Sequence, residues 1–183
     1  MTTEKDSVKG RIVKAAWELF REKGYDDTTI DEIIRLSGTS KGSFYYHFQS
    51  KDAMLGTLAL MLEEQDERLE AEMKPETDCF LKLMFLNYEV HRFMEEKVNL
   101  DLLASLYSTQ LIAKGDRNLL DQNRKYYRLI EAIVEEGQKK GQITRKRTSR
   151  EITKYYALCE RALVSDWCLN RGSYSLAQYS KEY

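Results

Sequence analysis

From Leu36 to Lys51 the chain carries no acidic residue, while Ser40, Lys41, Ser43, Tyr45, Tyr46, His47 and Lys51 all carry hydrogen-bond donors. A donor-rich, acid-free stretch suits the oxygens of phosphate groups. Gly42, in the middle of it, lets a second backbone come close. Two adjacent tyrosines and a glycine are poor choices for a face that only has to be wetted. The chemistry to expect here is anion binding along a polymer backbone.

The elements that must hold these donors are two short helices with almost nothing between them. Thr29 is placed to accept a backbone N–H as an N-cap, and Glu32 sits three residues on, where a capping-box carboxylate belongs. Ile30, Ile33 and Ile34 then form one apolar face. Gly38 suits the left-handed residue that ends a helix. Ser40 caps the next helix at once, and its free N-terminal N–H groups and dipole favour an anion. Phe44 and Phe48, spaced i and i+4, tie that helix to a core. A helix, a turn of three or four residues with glycine, and a second helix make a helix-turn-helix, whose second helix enters the DNA major groove.

At these residues the chain resembles the DNA-binding domain of the TetR/AcrR family of transcriptional regulators. The resemblance runs from Ile12 through Leu55, about the first quarter of the chain. Its pieces are Ile12-x-x-Ala15-Ala16-x-x-Leu19-Phe20, Lys23-Gly24-Tyr25, Thr28-Thr29-Ile30, Ser40-Lys41-Gly42-Ser43-Phe44-Tyr45-Tyr46-His47-Phe48 and Ser50-Lys51. Two positions depart from the family pattern. Ile34 stands where a small alanine usually packs between the two helices, and Thr39 where an apolar turn residue is usual. The resemblance implies a homodimer reading a near-palindromic operator. Thr28, Thr29, Ser40, Tyr45, Tyr46 and Lys51 would lie mainly on phosphate, Lys41, Gly42 and Ser43 at or near the base edges, with His47 beside them.

Length and composition fit that reading. With 183 residues, one proline and nine glycines in long stretches of helical period, the chain is expected to be all-α, with about nine helices. The expected domains are 1–52, a three-helix helix-turn-helix DNA-binding domain, and 53–183, a helical ligand-binding and dimerisation domain. The net charge is −1, and residues 1–52 hold nine Lys/Arg against nine Asp/Glu, so DNA binding has to rest on where charge lies rather than on its sum. No window reads as a transmembrane helix. The N-terminus lacks the apolar core of a signal peptide, so a cytoplasmic protein is expected. Cys79, Cys159 and Cys168 lack metal spacing and are expected to be reduced and mostly buried. No metal site or cofactor is expected.

A first helix is expected over 5–24, closed by Gly24, with Tyr25 anchoring it to the helices that follow. Ser50 and Asp52 open a long helix to about Met73, ended by Pro75. Residues 63–76 hold seven acids against two bases, a solvated face repelled from DNA. Residues 77–95 are apolar nearly all round, which implies burial. Val98 to Ile112 is leucine-rich with polar residues set among apolar neighbours. Tyr88, His91, Tyr107, Gln110 and Tyr126 supply the mixture of apolar wall and polar group that a small-molecule pocket needs. Two long helices follow, Leu119 to Lys140, fraying at Gly137 and Gly141, and Ser149 to Asn170. Between them Lys139 to Arg150 holds six basic residues and no acid, read as an exposed loop. A broad apolar surface on the last two long helices fits a four-helix bundle with a second copy, as in the resembling family, through Tyr127, Ile130, Val134, Tyr156, Leu163 and Trp167. The tail is expected to hold a turn and a short helix.

No catalytic constellation is visible. There is no glycine-rich phosphate loop, no His-Glu-x-x-His and no nucleophile elbow, and the two histidines stand 44 residues apart. The reading is a ligand-responsive DNA-binding regulator, a repressor, with double-stranded DNA, a small-molecule effector and a second copy as partners. The alternative is a helical dimer working through protein contacts, with the acidic and basic runs as docking surfaces and the DNA-binding domain as a tether.

Overall fold

The computed structural model describes residues 7–57, 68–112 and 124–182, and within them all regular structure is helical. The helices are α1 (Val8–Lys23), α2 (Ile30–Ser37), α3 (Lys41–His47), α4 (Lys51–Leu55), α5 (Cys79–Lys97), α6 (Leu100–Ile112), α7 (Lys125–Lys140), α8 (Ser149–Leu169) and α9 (Leu176–Glu182). They fall into two compact units, one containing α1 to α4 with α6, the other α5, α7, α8 and α9.

In the first unit the local chemistry sets each helix end. Ser7 caps α1 by accepting from Gly10 at 3.0 Å. Gly24, at φ 90°, turns the chain out of α1 in a conformation that side chains disfavour. Thr29 and Glu32 form a complete capping box at the start of α2. Gly38 ends α2 at φ 61° and ψ 35°, the left-handed C-terminal cap. Ser40 then accepts the Ser43 N–H at 3.1 Å, so only three residues separate α2 from α3. Ile12, Ala16, Phe20, Ile33 and Phe44 are fully buried and hold α1, α2 and α3 together. Full burial of a side chain the size of Phe44 stabilises by roughly 2–3 kcal/mol.

In the second unit α5 packs against α7 and α9, and α7 against α8. Its core includes Leu83, Leu86, Val90, Ile130 and Val134. α5 is not buried all round as its composition suggested, because Phe80 and Leu81 are each 57% exposed. Its inward face carries Lys82, Asn87 and His91 as well as aliphatic residues. Gly137 is no fraying end either. It is buried inside α7, where an added Cβ would stand 2.6 Å from Ile143 and 2.9 Å from Cys79. The helix stops at Gly141, φ 74°. Thr148 and Glu151 build a second capping box that starts α8.

The C-terminal helix α9 is fastened by several specific contacts. Glu95 accepts from the Ala177 N–H and from Ser175 Oγ, each at 3.0 Å. Asn87 Nδ2 donates to the Ser180 carbonyl at 2.6 Å, and Lys181 Nζ stands 3.8 Å from the Tyr88 ring centroid. Trp167 Nε1 donates to the Tyr174 carbonyl at 2.8 Å, closing the turn that leads into α9. Helical backbone at 68–72 ends before Pro75, as the ring requires. Residues 58–67 of the expected long helix and 119–123 of the next lie outside the described residues. No helix among the described residues is long and apolar enough to cross a membrane. Cys79 is buried, whereas Cys159 is exposed and Cys168 half-buried, so the thiols are less enclosed than their helical setting suggested.

Candidate nucleic-acid interface

α3 is short, and what it buries decides what it shows. Phe44 is 0% exposed and Phe48 5%, which fixes the rotation of the helix. The opposite side then presents Lys41 and Gly42 to solvent, with Tyr45 46% and Tyr46 85% exposed. Such exposure of tyrosines buries little apolar area, so packing does not account for them. The Tyr45 ring meets Phe44 edge-on at 5.4 Å, and Tyr46 meets His47 edge-on at 4.9 Å. These contacts set the rings' directions and leave both phenol groups outward.

The turn in front of α3 is held by side chains rather than by apolar packing. Thr39 Oγ1 and Ser37 Oγ are 2.8 Å apart, and Ser37 donates to the Ile34 carbonyl at 3.1 Å. The hydroxyl at position 39 is thereby satisfied within the turn. Ser40 and Ser43 hydroxyls are 3.0 Å apart and line the start of the helix.

Two expected DNA ligands have other engagements. Thr28 is buried, 1% exposed, and donates its hydroxyl to the Gly24 carbonyl at 2.7 Å. Lys51 Nζ donates to the carbonyls of Tyr25, Asp26 and Thr28 at 2.7, 3.2 and 3.0 Å. Three donors meeting three acceptors leave none for a phosphate. Both residues brace the loop between α1 and α2. Sequence spacing could not reveal this, because Lys51 reaches back 23 to 26 residues to find its partners. Tyr25 adds to the brace by donating its phenol proton to Asp52, and burial together with that carboxylate pushes its pKa well up. The Lys23 ammonium adds a 2.5 Å ion pair to Glu32, whose carboxylate also accepts from the Thr29 hydroxyl at 2.7 Å and the Thr29 N–H at 2.9 Å. That ammonium, with the Thr29 hydroxyl and N–H, holds the Glu32 carboxyl down at about 2.

The residues named for a ligand pocket separate. His91 is 0% exposed and Tyr126 6%. Both converge on Glu160 of α8, which sequence reading missed. The Tyr126 hydroxyl donates to the Glu160 carboxylate, and Tyr156, from the same helix, lies against the same carboxylate while donating to the Leu83 carbonyl at 3.0 Å. Among the described residues, neither ring nitrogen of His91 has a well-aligned hydrogen-bond partner. Burial pushes its pKa down to about 4, against the weaker pull of the nearby Asn87 and Glu160 carbonyls. A charged residue set inside the apolar run of α8, four residues after a tyrosine, was the available signal for Glu160. Tyr88 faces Lys181, Tyr107 is half-buried on α6, and the Gln110 side chain lies outside the described residues.

The residues named for a dimer face are mostly spent inside the chain. Ile130 and Val134 are 0% exposed, and Trp167 and Tyr127 are buried. Tyr156 and Leu163 are half-buried. The outward apolar stripe of α8 is instead Tyr155, Leu158 and Leu169, 70, 54 and 83% exposed, with Ala162 between them. α8 is apolar on two faces, so composition alone could not say which one turned inward.

Two capped helices joined by a glycine turn, braced by α1 and exposing a donor row on the second helix, define a helix-turn-helix domain. Residues 12–58 match the family described as bacterial regulatory proteins, tetR family, and this domain belongs to that family. The chain is 53% identical over 47 residues to the uncharacterised HTH-type transcriptional regulator YerO of Bacillus subtilis, a match covering 26% of this chain and 16% of YerO. It is 27% identical over 125 residues to the uncharacterised HTH-type transcriptional regulator YvdT of the same organism, covering 68% of this chain and 63% of YvdT. These matches therefore span less than two thirds of either relative. Across the whole fold, Thermus thermophilus FadR, a TetR-family transcriptional repressor solved with lauroyl-CoA, superposes with TM-score 0.76 at 22% identity over 95% of this chain and 90% of that one.

Proposed function

We propose that the chain is a ligand-responsive transcriptional regulator, a repressor that binds a palindromic operator as a homodimer. The observation that carries this reading is the outer face of α3, where Tyr45, Tyr46 and Lys41 are held in solvent by a fully buried Phe44. Residues 1–52 serve as the DNA-binding domain and 53–183 as the ligand-binding and dimerisation domain. Thr29, Ser40, Tyr45, Tyr46 and His47 meet phosphate, and Lys41, Gly42 and Ser43 lie at or near base edges. Thr28 and Lys51 support these residues from behind. A second copy joins through α7 and α8, giving two recognition helices for two half-sites. An effector binding unequally to two dimer arrangements would shift the population away from the DNA-competent one. The acyl-CoA bound by the FadR neighbour makes acyl-CoA thioesters the first effectors to try.

Recovery of bound DNA from a random-sequence pool, repeated across a salt series, tests the reading. Enrichment of an inverted repeat, weakening with salt, supports it. Recovery of no preferred sequence with or without acyl-CoA overturns it. If operator affinity is indifferent to Lys41→Ala, Tyr45→Phe and Tyr46→Phe combined, the assignment to the α3 face is wrong.

A further inference from the structure

Beyond the DNA surface, the second unit carries a groove of about 330 Å³ between α7 and α8. Its floor is apolar, made by the Tyr127 ring, Ala157 and Leu158, and its walls carry Arg150, Lys154 and Arg161 against the single carboxylate of Glu131. Lys154 has no ion-pair partner among the described residues. Arg161 spends one N–H on the Tyr127 hydroxyl at 3.0 Å, and its guanidinium has four more. In the wall between these cations Thr153 is 6% exposed, and its hydroxyl has no hydrogen-bond partner among the described residues. An unpaired buried hydroxyl is destabilising, and a bound acceptor would remove that cost.

We infer that this groove is a binding site for a small organic anion whose carboxylate or phosphate meets Lys154, Arg161 and Thr153 while an apolar or aromatic body lies on Tyr127 and Ala157. Charge and shape agree on that class. A hydrophobic neutral molecule would leave Lys154 and Arg161 without a counter-charge and the Thr153 hydroxyl without an acceptor, and a bare inorganic ion would leave the floor wet. The groove is also angularly separate from the apolar stripe of α8. At 100° per residue, Thr153, Ala157 and Arg161 centre about 140° round the helix from Tyr155, Ala162 and Leu169, with Leu158 between the two on the side of the stripe. One molecule covering the stripe therefore need not fill the groove.

The test is an NMR titration of the isotope-labelled full chain with benzoate, using benzyl alcohol as the neutral counterpart. Benzoate is expected to shift the Thr153, Ala157 and Arg161 amides saturably and benzyl alcohol to leave them near their starting positions. Lys154→Ala with Arg161→Ala should weaken benzoate at least tenfold, and Thr153→Val severalfold, with melting temperature followed to confirm folding. Equal shifts by benzyl alcohol, or unchanged benzoate affinity in the double variant, overturn the proposal. So do groove amides that ignore benzoate and move with protein concentration, which would place a second copy there. Operator binding is not read in any arm, so the DNA-binding proposal stands or falls separately.

Discussion

The Lys51 ammonium lies 4.3 Å from the centroid of the Tyr25 ring and donates to the carbonyl of that same residue at 2.7 Å. Its other two donors close on Asp26 and Thr28, so one side chain at the start of α4 organises the whole loop between α1 and α2. That loop delivers Thr29, the cap of α2, and through α2 the position of the exposed α3 face. A lysine that looks like a DNA contact by sequence is thus a strut beneath the exposed α3 face.

Lys51→Met is therefore expected to destabilise the chain by about 1–3 kcal/mol, the range for lost hydrogen bonds to a charged group. Denaturant unfolding monitored at α1 to α4 checks this. A lysine acting on phosphate would behave differently, lowering the salt slope of operator binding by about one while leaving stability intact.

The capping box of α2 makes a paired prediction. Thr29→Ala removes the acceptor for the Glu32 N–H and should cost about 1 kcal/mol of stability. Glu32 has its folded-state pKa depressed to about 2 from 4.5. Its contribution is accordingly present above about pH 4.5 and is lost as pH falls toward 2. In Lys23→Met the carboxyl should titrate closer to its ordinary value, read directly from the Glu32 side-chain carbon shift.

His91 titrates in the same sense over a higher pH range, because burial disfavours its charged form. Its folded-state pKa is lowered from 6.5 to about 4, so the unfolded chain binds the proton more readily between those values. Stability should fall as pH drops below about 6.5 and stop responding to this group below about 4, by a total of up to about 3 kcal/mol. Comparing denaturation of the native chain and His91→Phe at pH 7.5 and pH 4.5 isolates the contribution of His91. The difference between the two proteins should narrow or reverse at the lower pH, and a pH-independent difference would remove His91 as its source.

The two apolar faces of α8 and its neighbour should respond differently to substitution. Ile130→Ala empties a fully buried site and is expected to cost roughly 2–5 kcal/mol of folding stability. Tyr155→Glu with Leu169→Glu alters exposed positions and should leave helicity intact while shifting sedimentation from dimer to monomer. A sedimentation pattern unchanged by the pair would move the self-association surface elsewhere.

What the sequence determined by itself is what near neighbours decide. Thr29 with Glu32, Gly38, and Ser40 ahead of Phe44 specify two helices and the turn between them, because caps and glycine conformations involve partners within about four residues. The same holds for Thr148 and Glu151 at the head of α8, and for the helical period that carries the all-α fold. The tertiary structure alone decided which apolar face of α8 turned inward, since Trp167 and Leu169 are equally apolar but one packs in the chain and the other does not. It also decided that Lys51 spends its charge on a loop more than 20 residues back. It brought His91, Tyr126 and Glu160 together from three helices, and it opened the basic groove beside Thr153. Such pairings depend on helix rotation and crossing, set by the summed packing of many side chains, and no local pattern encodes them.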